Sequence, residues 1–367
     1  MQNDKHMSKQ KKTTIIILVA VVAIALIAGA IALMNSLEKR RDIAPEGAGT
    51  AASRGAVRED DLALADELEL DIQEGDEYPL YEETEPENTI FFNGKTYRYN
   101  DDLSVLLIVG VDDYDTISSK FRNTSQSDFL LVTVFDTSNQ TVKLLQINRD
   151  SMTDVPVLGV RGDYIGLHFE QIALAHTYGS GLSDSNENAV HAVSRFLYDI
   201  PIDNYFTFTM SAIPIINDKV GGVTVTIEDD FTGVDETLVK GETITLMGDQ
   251  AEHFVRSRFT MQDDATNLAR MRRQREYMRS MIEALTAAIH NDSSFVMDVY
   301  GDVSEYLYTD CSVDQLNQYS EQFSDYTLSE IVTPEGEAKK GEVFVEFYVD
   351  EASLQQLVID TFYVPVD

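Results

Sequence analysis

The sequence predicts an α/β domain, and three stretches carry that expectation. Residues 105–109 are an unbroken apolar run of strand length, the pattern of a strand covered on both faces. Residues 129–135 and 141–147 are two more strand-like runs, separated by the turn-like residues 136–140. Residues 267–289 are too long for a strand, and Met271, Met278, Ile282 and Leu285 form a broad apolar stripe at helical spacing.

Ahead of that domain, residues 13–34 are 22 uncharged residues, almost all Ile, Val, Ala and Leu, long enough to span a bilayer as a helix. Lys5, Lys9, Lys11 and Lys12 precede the run, and Lys39, Arg40 and Arg41 follow it. A cleaved signal peptide usually has a shorter apolar core, so an uncleaved single-pass anchor is expected in the cell membrane. Residues 1–12 are then a cytoplasmic tail, and the main domain is extracellular. Residues 35–88 are first rich in Gly, Ala, Ser and Pro. Then 59–87 hold fourteen acids and no base, the composition of a disordered acidic linker. The folded domain is expected over 89–330, with 331–367 as a strand/helix extension.

The chain carries a formal charge of −35, one cysteine (Cys311) and no tryptophan. A single cysteine excludes an internal disulfide framework and a cysteine-rich zinc site. Nothing forms a continuous basic face, so no nucleic-acid partner is expected.

Asn93-Gly94 is the signal of a tight hairpin at the start of the folded part. The 105–109 strand runs into Gly110, Val111 and Asp112. An acid just past a central strand commonly serves a site at the sheet edge, and it equally serves to cap a loop. If 129–135 and 141–147 pair as a hairpin centred on Ser138, Asp128 falls opposite Asn148 and Ser127 opposite Arg149. Asp128, Asn148, Arg149 and Asp150 then gather at the same sheet end as Asp112. Two carboxylates beside an arginine suit Mg²⁺ and phosphate, because Mg²⁺ takes one or two carboxylates together with substrate phosphates. A structural Asp–Arg pair fits the local pattern as well.

Residues 168–178 read as a helix closed by Gly179, in which His176 fits a packed residue better than a ligand. Residues 188–198 read as another helix and 203–209 as a strand. Ser211 is placed to cap a helix carrying Pro214 in its first turn. Gly221-Gly222 leads into a strand over 223–227, where glycine serves positive φ or close approach. A strand over 343–349 and a helix over 351–361 end the chain.

Seven of the 28 basic residues lie between Arg256 and Arg279, and all seven are arginine. Arginine supplies a planar fork that grips phosphate or carboxylate through two parallel hydrogen bonds. A short helix is expected just before Arg256 and Arg258; in extended chain these two point the same way. On the long helix Arg270, Arg273 and Gln274 share one face, while Arg272, Arg275 and Arg279 form a second row. Cations complementing a helix C-terminus, plus a solvated arginine face, account for the same residues.

The pattern L-x-G-x-x-A-x-x-x-V-R-x-R, running from Leu246 to Arg258, is followed by R-x-x-R-Q at Arg270, Arg273 and Gln274. Together they resemble the signature of the LytR-CpsA-Psr family. So do Gly110-Val111-Asp112, Gln126-Ser127-Asp128 and Arg149-Asp150. Gln126 stands where the family usually has arginine, and Gln171 where it often has lysine. Arg122, in the preceding loop, is a candidate for the missing charge. The resemblance covers about 105–287.

It implies a mixed central β-sheet sandwiched between α-helices, with a polyprenyl phosphate in an apolar tunnel and its head group among arginines. The implied activity is transfer of a glycopolymer from a polyprenyl-pyrophosphate carrier to peptidoglycan or another envelope acceptor, at the lipid bilayer. By the same resemblance Asp112 and Asp128 hold Mg²⁺ or a similar divalent cation. Arg149, Arg256, Arg258 and Asp150 are the implied catalytic residues. Arg270, Gln274, Gln126, Gln171 and Arg122 join the three arginines around the pyrophosphate. Two other classes stay open: a non-catalytic polyprenyl-phosphate binder or envelope regulator, and a pyrophosphatase that needs no acceptor.

Overall fold

Asn93 and Gly94 turn β1 (Thr89–Phe92) into β2 (Lys95–Tyr99), with φ of 48° and 79°. Both values are left-handed, as a two-residue hairpin turn of this twist requires. The computed structural model describes residues 89–366 apart from 113–124, 160–161, 182, 258–266, 293–294, 313–314, 316–318, 320–325 and 342–343. The expected anchor and acidic linker lie outside the described residues, as do Arg122 and Arg258. Among the described residues no helix is long and apolar enough to cross a membrane.

The doubly covered strand is β3 (Leu103–Val111), buried continuously from Val105 onward. It pairs antiparallel with β4 (Ser127–Asp136), which pairs antiparallel with β5 (Thr141–Ile147). The hairpin register differs from the expected one by a single residue. Asp136 belongs to β4 and pairs with Thr141, leaving a four-residue turn instead of five. The Asp136 carboxylate closes that turn by accepting from the backbone N–H and side-chain amide of Asn139, at 2.8 and 2.7 Å. Carried past its last pair, Leu130–Ile147, this register sets Arg149 across from Asp128, where Asn148 was expected.

A second hairpin follows, β6 (Met152–Leu158) with β7 (Tyr164–Gln171), then a 3-10 helix Ile172–Thr177. The helix expected over 168–178 is therefore strand in its first four residues and 3-10 helix over the next six. Pairing with β6 takes residues 168–171 into a hairpin, and Gln171 both ends β7 and stands at the N-cap of the 3-10 helix. Next come α1 (Ser183–Phe196), β8 (Asn204–Thr209) and α2 (Ala212–Lys219). Ser211 occupies the N-cap position of α2, but its side chain makes no capping bond.

β9 (Val223–Thr226) pairs with β10 (Thr243–Leu246), and α3 (Asp249–Arg256), α4 (Asn267–Asn291) and α5 (Phe295–Val303) follow. At the entrance to β9, Gly222 has φ of +90°, and a Cβ there would lie 2.5 Å from Thr245 Cγ2 and 2.6 Å from Met247 Sδ. Gly222→Ala is expected to lower stability by more than about 1 kcal/mol, through both left-handed strain and collision. Urea unfolding of the two proteins checks this; an unchanged midpoint would contradict the collision.

Late in the chain, β11 (Leu307–Thr309) and β12 (Thr327–Val332) complete a six-stranded mixed sheet ordered β11-β8-β3-β4-β5-β12. β3–β8 and β5–β12 are its parallel pairs. The chain ends with a β13 (Gly336–Lys340)–β14 (Val345–Val349) hairpin, α6 (Glu351–Phe362) and β15 (Tyr363–Pro365).

Alternation along β3 sends its side chains to two cores. Val105, Leu107 and Val109 pack with Val193 of α1 and with Leu354, Val358 and Phe362 of α6. Leu106 and Ile108 face the other way, onto Ile282 of α4. The mixed sheet is thus covered by helices on both faces. The C-terminal segment is built into the first of those cores and is no mere addition: α6 fills it, and β15 pairs with β2.

Candidate functional site

Asp112 follows directly on β3, and the strand beside it is bulged at the same level. Gly110 pairs with Phe129 and Val111 with Ser127, so Asp128 is the extra residue that β3 does not pair. A bulge bends its strand and re-aims one side chain, and here the re-aimed side chain is a carboxylate. The approach is close: a Cβ on Gly110 would meet Met210 and Phe129 side-chain carbons at 3.0 Å.

Leaving β5, the chain turns through Asn148, Arg149 and Asp150, all buried. Asn148 Oδ1 accepts from the Asp150 N–H at 3.1 Å and from Asn267 Nδ2 at 2.8 Å, tying the turn to the start of α4. Arg149 is the hub. Its Nη1 donates to Asp128 Oδ1 and its Nη2 to Gln126 Oε1. Its Nε lies 3.4 Å from Asp150 Oδ1. Arg270 comes from α4, donating through Nη1 to Asp128 Oδ1 at 3.2 Å and through Nη2 to the Asp128 carbonyl at 3.4 Å. One buried carboxylate therefore takes two guanidiniums.

Arg256 ends α3 and forks between Glu252 Oε1 at 2.6 Å and Asp112 Oδ1 at 2.7 Å. It is half exposed, so it combines the helix-terminus role with a contact that belongs to the site. Gln171 Nε2 donates to Asp150 Oδ1 at 3.2 Å and to the Val345 carbonyl at 2.7 Å. The end of the sheet thus brings together Asp112, Gln126, Asp128, Arg149, Asp150, Gln171, Arg256 and Arg270.

The shared helical face of Arg270, Arg273 and Gln274 divides in use. Gln274 is buried behind the cluster, donating to the Val255 carbonyl at 3.2 Å and accepting from Gln146 Nε2 at 2.9 Å. Arg273 donates to the carbonyls of Phe254 and Ser257, pairs with Asp229 at 2.5 Å and lies over the Phe231 ring. Both brace the end of α3, and with it Arg256. In the second row, Arg272 pairs with Glu228 and Asp229 at the surface, while Arg275 turns inward to Gln146 Oε1.

Burial raises the Asp112 pKa, the Asp128 charge adds to the rise, and Arg256 and Arg149 oppose it. Two carboxylates that repel each other at a partly buried edge form an oxygen donor set that a divalent cation relieves. Among the described residues no group of three His, Cys, Asp or Glu side chains is placed to hold a metal. Asp112 and Asp128 are the residues that could each lend a carboxylate to a divalent cation, whose other ligands would be phosphate oxygens and water.

Several members of the cluster carry no local sequence signal. Gln146, Asn267 and the backbone of β14 enter only through long-range contacts. The Phe347 N–H donates to the Asp150 carbonyl at 2.8 Å, so the C-terminal hairpin holds the turn that carries Arg149. A cavity of about 280 Å³ is lined by Ile90, Phe92, Tyr198, Val358 and Tyr363 among others, and by none of the site residues.

Comparison with known proteins places the chain. The family model of the LytR_cpsA_psr family matches residues 71–359. The polyisoprenyl-teichoic acid–peptidoglycan teichoic acid transferase TagU of Bacillus cereus (strain AH820) is 29% identical over 266 residues, covering 72% of this chain and 79% of that protein. TagV of Bacillus subtilis (strain 168), of the same named activity, is 31% identical over 190 residues, covering 50% of this chain and 44% of TagV. The crystal structure of B. subtilis TagV superposes with a TM-score of 0.54 at 22% identity, covering 71% of this chain and 98% of that one. A Streptococcus agalactiae protein superposes at 0.58 and 20% identity, over 71% of this chain and 88% of that one. At such identities the superpositions show a shared fold. The family match spans most of the chain, from within the acidic stretch into the last turn of α6, and on it this protein belongs to the LytR-CpsA-Psr family.

Proposed function

We propose that this chain is a membrane-anchored transferase that moves a glycopolymer from a polyprenyl-pyrophosphate carrier to peptidoglycan or another envelope acceptor. The observation that carries the reading is the convergence of Asp112, Asp128, Arg149, Arg256 and Arg270 at one end of the central sheet, around a bulge that aims Asp128. Relatives named as teichoic acid transferases support the same chemistry.

In this reading Arg256, half exposed at the rim, meets the pyrophosphate first and exchanges Asp112 for phosphate oxygens. Arg149 and Arg270 lie deeper and place their forks against the charge that grows on the leaving polyprenyl phosphate. Arg258, two residues past Arg256 in the sequence, is a further candidate to bind the pyrophosphate. A divalent cation at Asp112 and Asp128 would neutralise pyrophosphate oxygens and favour departure of the lipid phosphate. Asp150, oriented by Gln171 and Arg149, is our candidate to take the proton of the acceptor hydroxyl. Gln274 supports this set from behind through Val255 and Gln146. The uncharged run 13–34 is the proposed single-pass anchor, with 35–88 as a tether holding the domain outside the cell; N-terminal sequencing of mature protein that began after residue 34 would refute this.

A second reading has one observation in its favour. Gln126 occupies Arg149 Nη2 with a neutral carbonyl, and Gln171 contributes no charge, as in a site that binds carrier lipid without turning it over. Lipid extracted from protein purified from its own membranes tests the common ground of both readings. Mass spectrometry is expected to find a polyprenyl phosphate or pyrophosphate; ordinary phospholipid alone would remove that ground.

A further inference from the structure

His176 is fully buried and has no part in the chemistry above. In the 3-10 helix, its Nδ1 lies 2.7 Å from the Ser125 carbonyl oxygen and its Nε2 lies 3.0 Å from the Asn186 side-chain amide. Thr207 Oγ1 is 2.6 Å from the same amide, so residues of α1 and β8 back the imidazole from behind. A carbonyl only accepts, so Nδ1 carries the proton. Burial lowers the imidazole pKa, which keeps the ring neutral and leaves Nε2 as an acceptor. The two ends of an asparagine amide are alike in shape. With its NH₂ turned to Nε2 and Thr207, Asn186 gains partners for an amino group that is otherwise buried without one.

What the imidazole holds is the segment leading into the bulge. Ser125 is buried, three residues before Asp128, and β3 gives Asp128 no ladder partner. In the described state Arg149 and Arg270 steady the Asp128 carboxylate. Those same forks must turn to phosphate when a pyrophosphate arrives. The carboxylate then keeps its aim only if its backbone is fixed by something the ligand does not touch. We propose that His176 is that anchor: a positioning residue which, by holding the Ser125 carbonyl, sets the bulged segment 125–128 and the aim of Asp128 toward the divalent cation. The proposal rests on the reading of Asp128 given above.

The test compares His176→Asn with His176→Gln in the full chain. The asparagine amide puts an N–H where Nδ1–H stood; the glutamine amide reaches to the Nε2 position and leaves the Ser125 carbonyl unheld. Binding of geranylgeranyl pyrophosphate is measured by calorimetry with and without Mg²⁺, alongside thermal unfolding. Asparagine is expected to keep the Mg²⁺-dependent gain in affinity, while glutamine loses about tenfold of it, the scale of a lost outer support at a metal site. Without Mg²⁺ both should bind like wild type, because the arginines are intact. His176→Leu is a second variant with no donor at the Nδ1 position and the same expected loss, should the glutamine protein fail to fold. Equal loss in the asparagine variant and in the glutamine or leucine variant, or no loss in the latter two, overturns the proposal. Wild-type protein with no Mg²⁺-dependent binding defeats the functional reading itself and this inference with it.

Discussion

Asp128→Ala is expected to abolish divalent-cation-dependent binding of a polyprenyl pyrophosphate and also to destabilise the domain by roughly 3–5 kcal/mol. The second effect follows from where Asp128 stands. Its carboxylate is buried between two buried guanidiniums, so removing it leaves Arg149 and Arg270 facing each other in a desolvated site. A metal ligand on an open edge would show only the first effect. Asp128→Asn separates the two, since it keeps the shape and one acceptor while losing the charge. Its transfer rate should fall by at least about a hundredfold, more than the loss of an outer-shell partner produces. Calorimetric titration with Mg²⁺ and thermal unfolding read the two effects. An asparagine variant that folds and keeps Mg²⁺-dependent binding would make Asp128 purely structural.

Arg256→Lys should show the opposite balance. Arg256 is 43% exposed and shares its fork between Glu252 and Asp112. Exposed pairs are worth about 0–1 kcal/mol, and lysine keeps the charge, so the unfolding midpoint should barely move. Transfer should fall about tenfold or more, or roughly 1.4 kcal/mol of transition-state stabilisation, because a point charge cannot span two phosphate oxygens. Arg258→Lys is expected to behave likewise. Arg272→Lys is the control: Arg272 is 47% exposed, pairs with Glu228 and Asp229 away from the cluster, and should change neither quantity. Wild-type transfer in both the 256 and 258 variants would return those arginines to the surface-charge explanation.

The parts of the site that local pattern shows are those governed by local physics. β3 is legible because double burial demands an unbroken apolar run, and α4 because its stripe repeats at helical spacing. The gathering of Asp112, Asp128 and Arg149 follows from adjacent strands ending at one edge. The register error has a local cause as well: the Asp136 side chain closes a four-residue turn, and one residue of slip decides which side chain faces Asp128. The bulge itself leaves no trace in composition, because it is a property of two strands at once. Periodicity put Arg270, Arg273 and Gln274 on one face but could not say where each side chain ends. Only Arg270 reaches Asp128, since the end of α3 intervenes and takes the other two. Strand pairing overrode the helix expected at 168–171, and the hold of β14 on Asp150 spans nearly two hundred residues of chain.

The most direct measurement is of acceptor dependence. Full-length protein in detergent is supplied with a polyprenyl-pyrophosphate-linked glycan, Mg²⁺ and peptidoglycan, and released polyprenyl phosphate and wall-bound glycan are followed together. A transferase releases one polyprenyl phosphate for each glycan joined to the wall, stops when Mg²⁺ is chelated and is nearly silent without peptidoglycan. Release that proceeds equally without peptidoglycan would make the protein a pyrophosphatase, and binding with no release at all would make it a carrier-lipid binder.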